Sequence, residues 1–279
     1  MINEDLFIDN PPQRLTFLDH GVVELLDCSP RNICYLDQRI LDACRVSYSS
    51  NKTKKHTDED DKKLINYLFK HAHTSPLEMI DFTFYLKMPI FIARQLTRHR
   101  TASLNEISGR YSELATDFYA PERFKTQSTA NKQGSGEFLP EKVNKTQLKN
   151  LNSTYTNLSM LYKDFILEGI SKEQARIVLP VSTYTEMVWK IDLKNLLSYL
   201  NLRLDPHAQE EIRSMSKLML QSIEPYFKWV IEAWNDTSPY RNAILFTREE
   251  LRQLNITAKS EVVPPDLKGK LKKYAARNI

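Results

Sequence analysis

The chain has 279 residues, 41% apolar and 27% charged, enough for one large domain or two small ones around a sizeable core. Its net charge of +4, from 39 basic and 35 acidic residues, is too mild to mark a nucleic-acid binder. Cys28, Cys34 and Cys44 form no Cys-x-x-Cys pair, which argues against a disulfide framework or zinc knuckle and for a reducing cytoplasm; the acidic start lacks a signal-peptide core, and no run approaches the ~18–20 apolar residues of a membrane span.

Residues 1–20 read as a variable lead-in broken by Pro11-Pro12, and residues 21–27 as a first short strand. Thr57 and Asp60 form a capping box. Beyond it, Leu64, Ile65, Leu68, Phe69 and Ala72 recur at helical spacing as far as His73-Thr74-Ser75-Pro76. Ile80, Phe82, Phe84 and Leu86 alternate with polar or amphipathic neighbours, the period of a strand. Pro89 opens a helix expected to reach about Arg100, and residues 106–114 a loop entering another strand. The polar stretch 125–140 reads as a mobile surface loop.

Leu148, Leu151, Tyr155, Leu158, Tyr162 and Phe165 then mark a long helix that Gly169 stops. Ser171 and Gln174 offer a second capping box for a short helix before Pro180. Residues 183–191 alternate as a third strand, and Asp192 caps a Leu-rich helix. Asp205-Pro206 begins a long helix running to Trp234, kinked at Pro225. Residues 236–279 look appended and end in a basic run of Lys268, Lys270, Lys272 and Lys273, most simply a solvated tail. The layout is α+β: residues 1–235 as a single domain, residues 236–279 as a C-terminal extension.

The densest chemistry lies between positions 95 and 110. Gln95, Arg98 and His99 stand at i, i+3 and i+4 and share one face of a helix, with Arg100 pointing elsewhere. Glu106, Ser108 and Arg110 share a side if the chain is extended there, and Gly109 lets backbone approach a ligand. A hydroxyl, glycine-flanked amides and a guanidinium fork make a phosphate cradle; Gln95 and Arg98 can read a base carbonyl and imide. A solvated basic helix end accounts for Arg98 and Arg100, but not for Ser103, Asn105, Ser108, Gly109 and Arg110 following at once.

Arg98-His99-Arg100, seven residues and then Ser108 resembles the signature of the flavin-dependent thymidylate synthases, the ThyX family. His71-Ala-His73-Thr-Ser-Pro-Leu-Glu78, Pro89-Ile-Phe-Ile-Ala-Arg-Gln95, Ala175-Arg176-Ile-Val-Leu-Pro180, and Leu200-Asn-Leu-Arg203 with His207-Ala-Gln resemble its other blocks in the right order. The resemblance spans residues 21–235. It implies an antiparallel sheet packed by long helices and a homotetramer with active sites shared between subunits. The implied reaction converts dUMP to dTMP with bound FAD, methylenetetrahydrofolate and NADPH, without a cysteine nucleophile. By position, Gln95, Arg98, Glu106, Ser108, Gly109, Arg110 and Arg176 are expected to contact dUMP, Arg176 from another subunit. Arg203 is expected against the uracil as the catalytic clamp. His73, Ser75, Glu78, Arg98, His99, Arg100, Asn105, Glu106 and His207 are expected on FAD, and Ser108 is a ligand contact rather than a nucleophile.

Asp192, Lys194 and Ser198 occupy further FAD positions but depart from the residues common there. Lys194 keeps charge without a fork, and Asp192 would repel a phosphate unless it caps the helix. His71 and His73 lack a third ligand at useful spacing, so no metal is expected. Three rival readings stay open: a flavin- and folate-using enzyme acting on another pyrimidine nucleotide; a non-catalytic nucleic-acid binder, against which Glu106 and Glu113 stand beside the arginines; and a flavoprotein that has lost activity through the changes at 192–198.

Overall fold

A computed structural model of the chain describes residues 14–30, 35–47, 56–129, 134–238 and Glu250. The chain divides after Trp234 into two units, and the first, Met1–Trp234, holds the sheet, its core and the candidate site. Pro11-Pro12, Cys34 and the lysines at 268–273 lie outside the described residues.

The centre is an antiparallel sheet in the order β1 (Arg14–Phe17), β2 (Gly21–Ser29), β3 (Asp81–Pro89), β7 (Tyr184–Asp192), β4 (Ser103–Glu106). Period-two patterning sets the register: Phe82 faces Ile191, Phe84 faces Trp189 and Leu86 faces Met187, so the large apolar side chains fall on one face. The helix α6 (Leu193–Arg203) covers that face with Leu196, Tyr199 and Leu200. Helix α7 (Glu210–Ile223) adds Ile212, Met215, Met219 and Ile223, and all these residues join one core. The opposite face carries Thr83, Tyr85, Lys87, Val188 and Lys190 and stays partly open.

Local signals account for most boundaries. Thr57 and Asp60 form the reciprocal capping box that opens α2 (Asp58–Lys70). Asp192 accepts a hydrogen bond from the Asn195 backbone N–H at 3.0 Å and caps α6. The half-buried stripe of the long helix α4 (Glu141–Leu167) is the expected one, and Gly169 takes a left-handed φ of 80° beyond its end.

Several boundaries differ from expectation. The lead-in contains β1, which pairs with β2 through the tight turn at 18–20. Helix α1 (Asp37–Arg45) had no expected counterpart, although Leu36, Ile40 and Leu41 are fully buried at helical spacing. Helix α3 spans only Ile90–Leu96 and ends four residues short of Arg100. The strand near the signature is β4, which precedes the loop at 107–114 instead of following it. The stretch 125–140 contains a hairpin of β5 (Lys125–Gln127) and β6 (Ser135–Phe138), with residues 130–133 outside the described residues.

Helix α5 (Lys172–Ala175) starts where expected, but Ser171 makes no side-chain cap bond. The last helix does not begin at Asp205-Pro206 and is broken, not kinked. Asp205 and Pro206 lie in a turn, α7 starts at Glu210, and Pro225 sits in the 3-10 turn Glu224–Tyr226 before α8 (Val230–Thr237). A proline lacks the N–H that a continuous helix would need there. No helix among the described residues is long and apolar enough to cross a membrane.

Candidate active site

Two clusters of the expected residues form on one chain. The first lies where α3 ends beside the C-terminal end of α6. Past Leu96 the chain tightens, with the His99 N–H donating to the Leu96 carbonyl at 3.0 Å. Gln95, Arg98 and His99 therefore share a face through a turn, not through continued helix. Together with Arg94, Leu202 and Arg203 they line an open cleft of about 540 Å³.

Arg203 is held there by neutral acceptors. Its Nε donates to His99 Nε2 at 3.2 Å, and its Nη2 donates to the Gln95 carbonyl at 3.2 Å. A guanidinium has five N–H donors, so three remain, two on Nη1 and one on Nη2, and one from each makes up the far fork. His99 must be neutral to accept this bond. Burial, followed by the positive charge of Arg203, lowers its pKa from 6.5 to about 4. The imidazole that accepts at Nε2 carries its proton on Nδ1. Its ring meets the fully buried Tyr199 edge-on, with centroids 4.8 Å apart.

The second cluster lies where the chain leaves β4. Glu106 ends that strand and accepts from the buried Thr185 hydroxyl at 2.6 Å. The chain then curls, with the Tyr111 and Ser112 N–H groups both donating to the Ser108 carbonyl. Glu106, Ser108 and Arg110 thus do not line up along an extended strand. Ser108 Oγ accepts from the Arg110 backbone N–H at 3.3 Å, while Arg110 Nε donates to Glu173 at 2.8 Å. Arg176, just beyond α5, donates from Nε to the Glu173 carbonyl at 3.3 Å.

Gly109 is buried and closely approached by side chains of this same chain. A Cβ there would lie 2.9 Å from Leu114 and 3.1 Å from Arg176, so its bare Cα makes room for the stem of Arg176. None of Glu106, Ser108, Gly109, Arg110 and Arg176 lines the cleft.

The remaining expected residues lie around these clusters. Asn105 is exposed on β4 opposite Val188, and Arg100 is exposed beyond the turn. Ser75 and Glu78 lie in the 3-10 turn Ser75–Met79, where Glu78 pairs with Lys194. Ser198 donates to the Lys194 carbonyl at 2.9 Å, and Asp192 is committed to its capping role. His73 is exposed beside Tyr67 and His71, just beyond the end of α2. His207 is exposed, with its ring Nδ1 2.8 Å from Asp205. Sequence reasoning missed Arg94, Leu202, Tyr199 and Thr185. The i, i+4 spacing of Arg94 and Arg98 was a usable signal; the cross-strand contact of Thr185 was not.

A family model described as "Thymidylate synthase complementing protein" matches residues 33–227. A flavin-dependent thymidylate synthase of Dictyostelium discoideum is 43% identical over 91% of this chain and 85% of its own. One from Treponema denticola is 40% identical over 91% of this chain and 92% of its own. The chain belongs to the flavin-dependent thymidylate synthase family. Among solved structures, a UMP/dUMP methylase, PolB, from Streptomyces cacaoi bound with 5-Br dUMP superposes with a TM-score of 0.72. It is 27% identical and covers 82% of this chain and 100% of its own. That likeness agrees with the α+β fold of antiparallel sheet and long helices.

Proposed function

We propose that the protein converts dUMP to dTMP, using methylenetetrahydrofolate as carbon donor, NADPH as reductant and bound FAD. The observation that carries this reading is Arg203, an always-charged guanidinium held, among the described residues, by neutral partners in a cleft that also gathers Arg94, Arg98 and Gln95. Such a cleft suits an anionic nucleotide and flavin. When bound, reduced FAD supplies the hydride, and the chain's own residues bind, orient and polarise.

In this reading the free fork of Arg203 faces the uracil and stabilises negative charge developing on the ring. Gln95 and Arg98 orient the nucleotide. Ser108, Gly109, Arg110 and Arg176 hold its phosphate, and Glu106 faces both ligands. His73, Ser75, Glu78, Arg98, His99, Arg100, Asn105 and His207 serve FAD, with Lys194, Ser198 and Asp192 at its margin.

Assembly as a homotetramer would bring the phosphate cluster of one copy to the cleft of another. The exposed apolar side chains beside that cluster, Tyr111 at 77% and Ile177 at 77%, support such a contact. We assign residues 1–235 to the synthase domain and 236–279 to an extension. We also infer a cytoplasmic location, in keeping with three cysteines that form no Cys-x-x-Cys pair.

The test is an absorption spectrum followed by anaerobic NADPH addition with and without dUMP. Flavin bleaching that dUMP accelerates, and thymidylate on adding the folate, are expected. Protein that takes up no FAD would overturn the reading. The likeness to a UMP/dUMP methylase favours one second reading, action on UMP, which the same assay decides when UMP replaces dUMP.

A further inference from the structure

We propose that Tyr199, anchored by Ser216, is a positioning residue that fixes His99 and through it the guanidinium of Arg203. This inference rests on the role given to Arg203 above. Neither Tyr199 nor Ser216 lines the cleft, and both are 0% exposed, so neither is placed to touch a ligand.

The chain of contacts is continuous and has a direction. Ser216 Oγ donates its one proton to the Ile212 carbonyl at 2.7 Å. The 2.8 Å contact between Tyr199 Oη and Ser216 Oγ must then be donated by tyrosine. That bond fixes one end of the ring, and Trp189 meets the same ring at 5.5 Å between centroids. The ring meets His99 at an interplanar angle of 80°. An aromatic edge contact of this kind favours one orientation of the imidazole. The orientation seen points Nε2 at Arg203 Nε, 3.2 Å away.

Arg203 needs this support because its other fixed contact is a single bond to the Gln95 carbonyl. With one bond the guanidinium can swing. With two, on Nε and on Nη2, its plane is set and the remaining fork is aimed. The acceptor has to be uncharged if Arg203 is to keep its full charge. A carboxylate in the place of His99 would hold the fork equally well but would cancel much of the field it exerts on a developing anion.

The experiment is a double-mutant cycle on thymidylate formation by the flavin-loaded enzyme, with Tyr199→Leu, Arg203→Lys and the double variant. Tyr199→Leu is expected to lower kcat/KM for dUMP about tenfold, the scale on which a slightly misaimed catalytic group slows a reaction. Tyr199→Phe, which keeps the ring, is expected to stay within about threefold of wild type. In the Arg203→Lys background, Tyr199→Leu is expected to cost nothing further, because its target is gone. Losses that multiply in the double variant would show a merely structural role and overturn the proposal.

Since Tyr199→Leu opens the core, a second measurement needs no variant in it. The ring ¹⁵N shifts of His99 in the wild-type protein are expected to show the proton on Nδ1. A proton on Nε2 would overturn the proposal. Wild-type protein that makes no thymidylate would sink the synthase reading, while the tautomer would still decide the contact.

Discussion

His99 gives the sharpest test of the cleft, because one number connects its burial, its partner and its charge. Its pKa is lowered from 6.5 to about 4, by burial first and by Arg203 second. The folded value lies below the unfolded one, so the unfolded chain takes up the proton first. The neutral imidazole therefore contributes stability that is fully present above pH 6.5 and is lost as pH falls toward 4. A shift of this size is worth about 3 kcal/mol at face value. His99 is only half-buried, and solvent screening reduces the expected contribution to about 1–2 kcal/mol. The assay is denaturant unfolding of flavin-free protein at pH 7 and pH 4.5, comparing wild type with His99→Gln. The variant is expected to lose less stability over that interval. Ring resonances assigned with the same variant give the midpoint directly. In Arg203→Ala the midpoint should rise but stop short of 6.5, because burial is the larger cause. A His99 midpoint near 6.5 in wild type, or equal losses in both proteins, would refute the picture of a desolvated imidazole accepting from Arg203.

Other changes test the site and its frame. Arg203→Ala is expected to lower kcat by about 10²–10³-fold while flavin binding survives, as titration with FAD and turnover assays would show. Ser108→Ala should weaken dUMP binding by about tenfold, with a smaller effect on FAD, measured by calorimetry; loss of chemistry with intact binding would revive Ser108 as a nucleophile. Ala72 holds a left-handed φ of 54° at the end of α2, so Ala72→Gly should stabilise the protein by about 0.5–1 kcal/mol in denaturant melts. Asp37 is buried and accepts from the backbone N–H groups of Lys228, Trp229 and Val230, so Asp37→Ala should cost about 2–4 kcal/mol, read as a lowered unfolding midpoint.

What the sequence made legible follows from how local each signal is. The alternation of Phe82, Phe84 and Leu86, the Thr57–Asp60 box and the cap at Asp192 are written within a few residues, and all three appear in the structure. Strand β1 and helix α1 are not readable in the same way. Four residues of edge strand are too few for alternation to stand out, although their partner β2 is only a tight turn away, and the nine-residue helix owes its conformation to the core beside α2. Within the site, helical spacing groups Gln95, Arg98 and His99 correctly on an incorrect premise, since a tight turn preserves the shared face after the helix has ended. The hydrogen bond from Arg203 to His99 joins residues 104 positions apart and leaves no trace in spacing. Gly109 signals a close approach, and within the chain it makes room for the side chains of Leu114 and Arg176.

The cations of the two clusters are not equivalent, and the difference is chemical. Arg110 and Lys194 already face carboxylates, Glu173 and Glu78, in exposed pairs. Such pairs contribute at most about 1 kcal/mol in water, so a phosphate can displace the carboxylate at little cost. Arg98 and Arg100 make no ion pair among the described residues and keep their charge for a ligand. Arg203 is tethered but not neutralised, because its two acceptors are an uncharged imidazole and a backbone carbonyl. A group that only has to bind an anion can tolerate a weak internal counter-ion that the ligand replaces. A group that has to stabilise charge appearing during the reaction cannot, since a resident carboxylate would oppose that charge at the moment it forms. The pairing pattern is therefore the one expected if Arg110 binds the phosphate and Arg203 acts on the reacting ring, as proposed above.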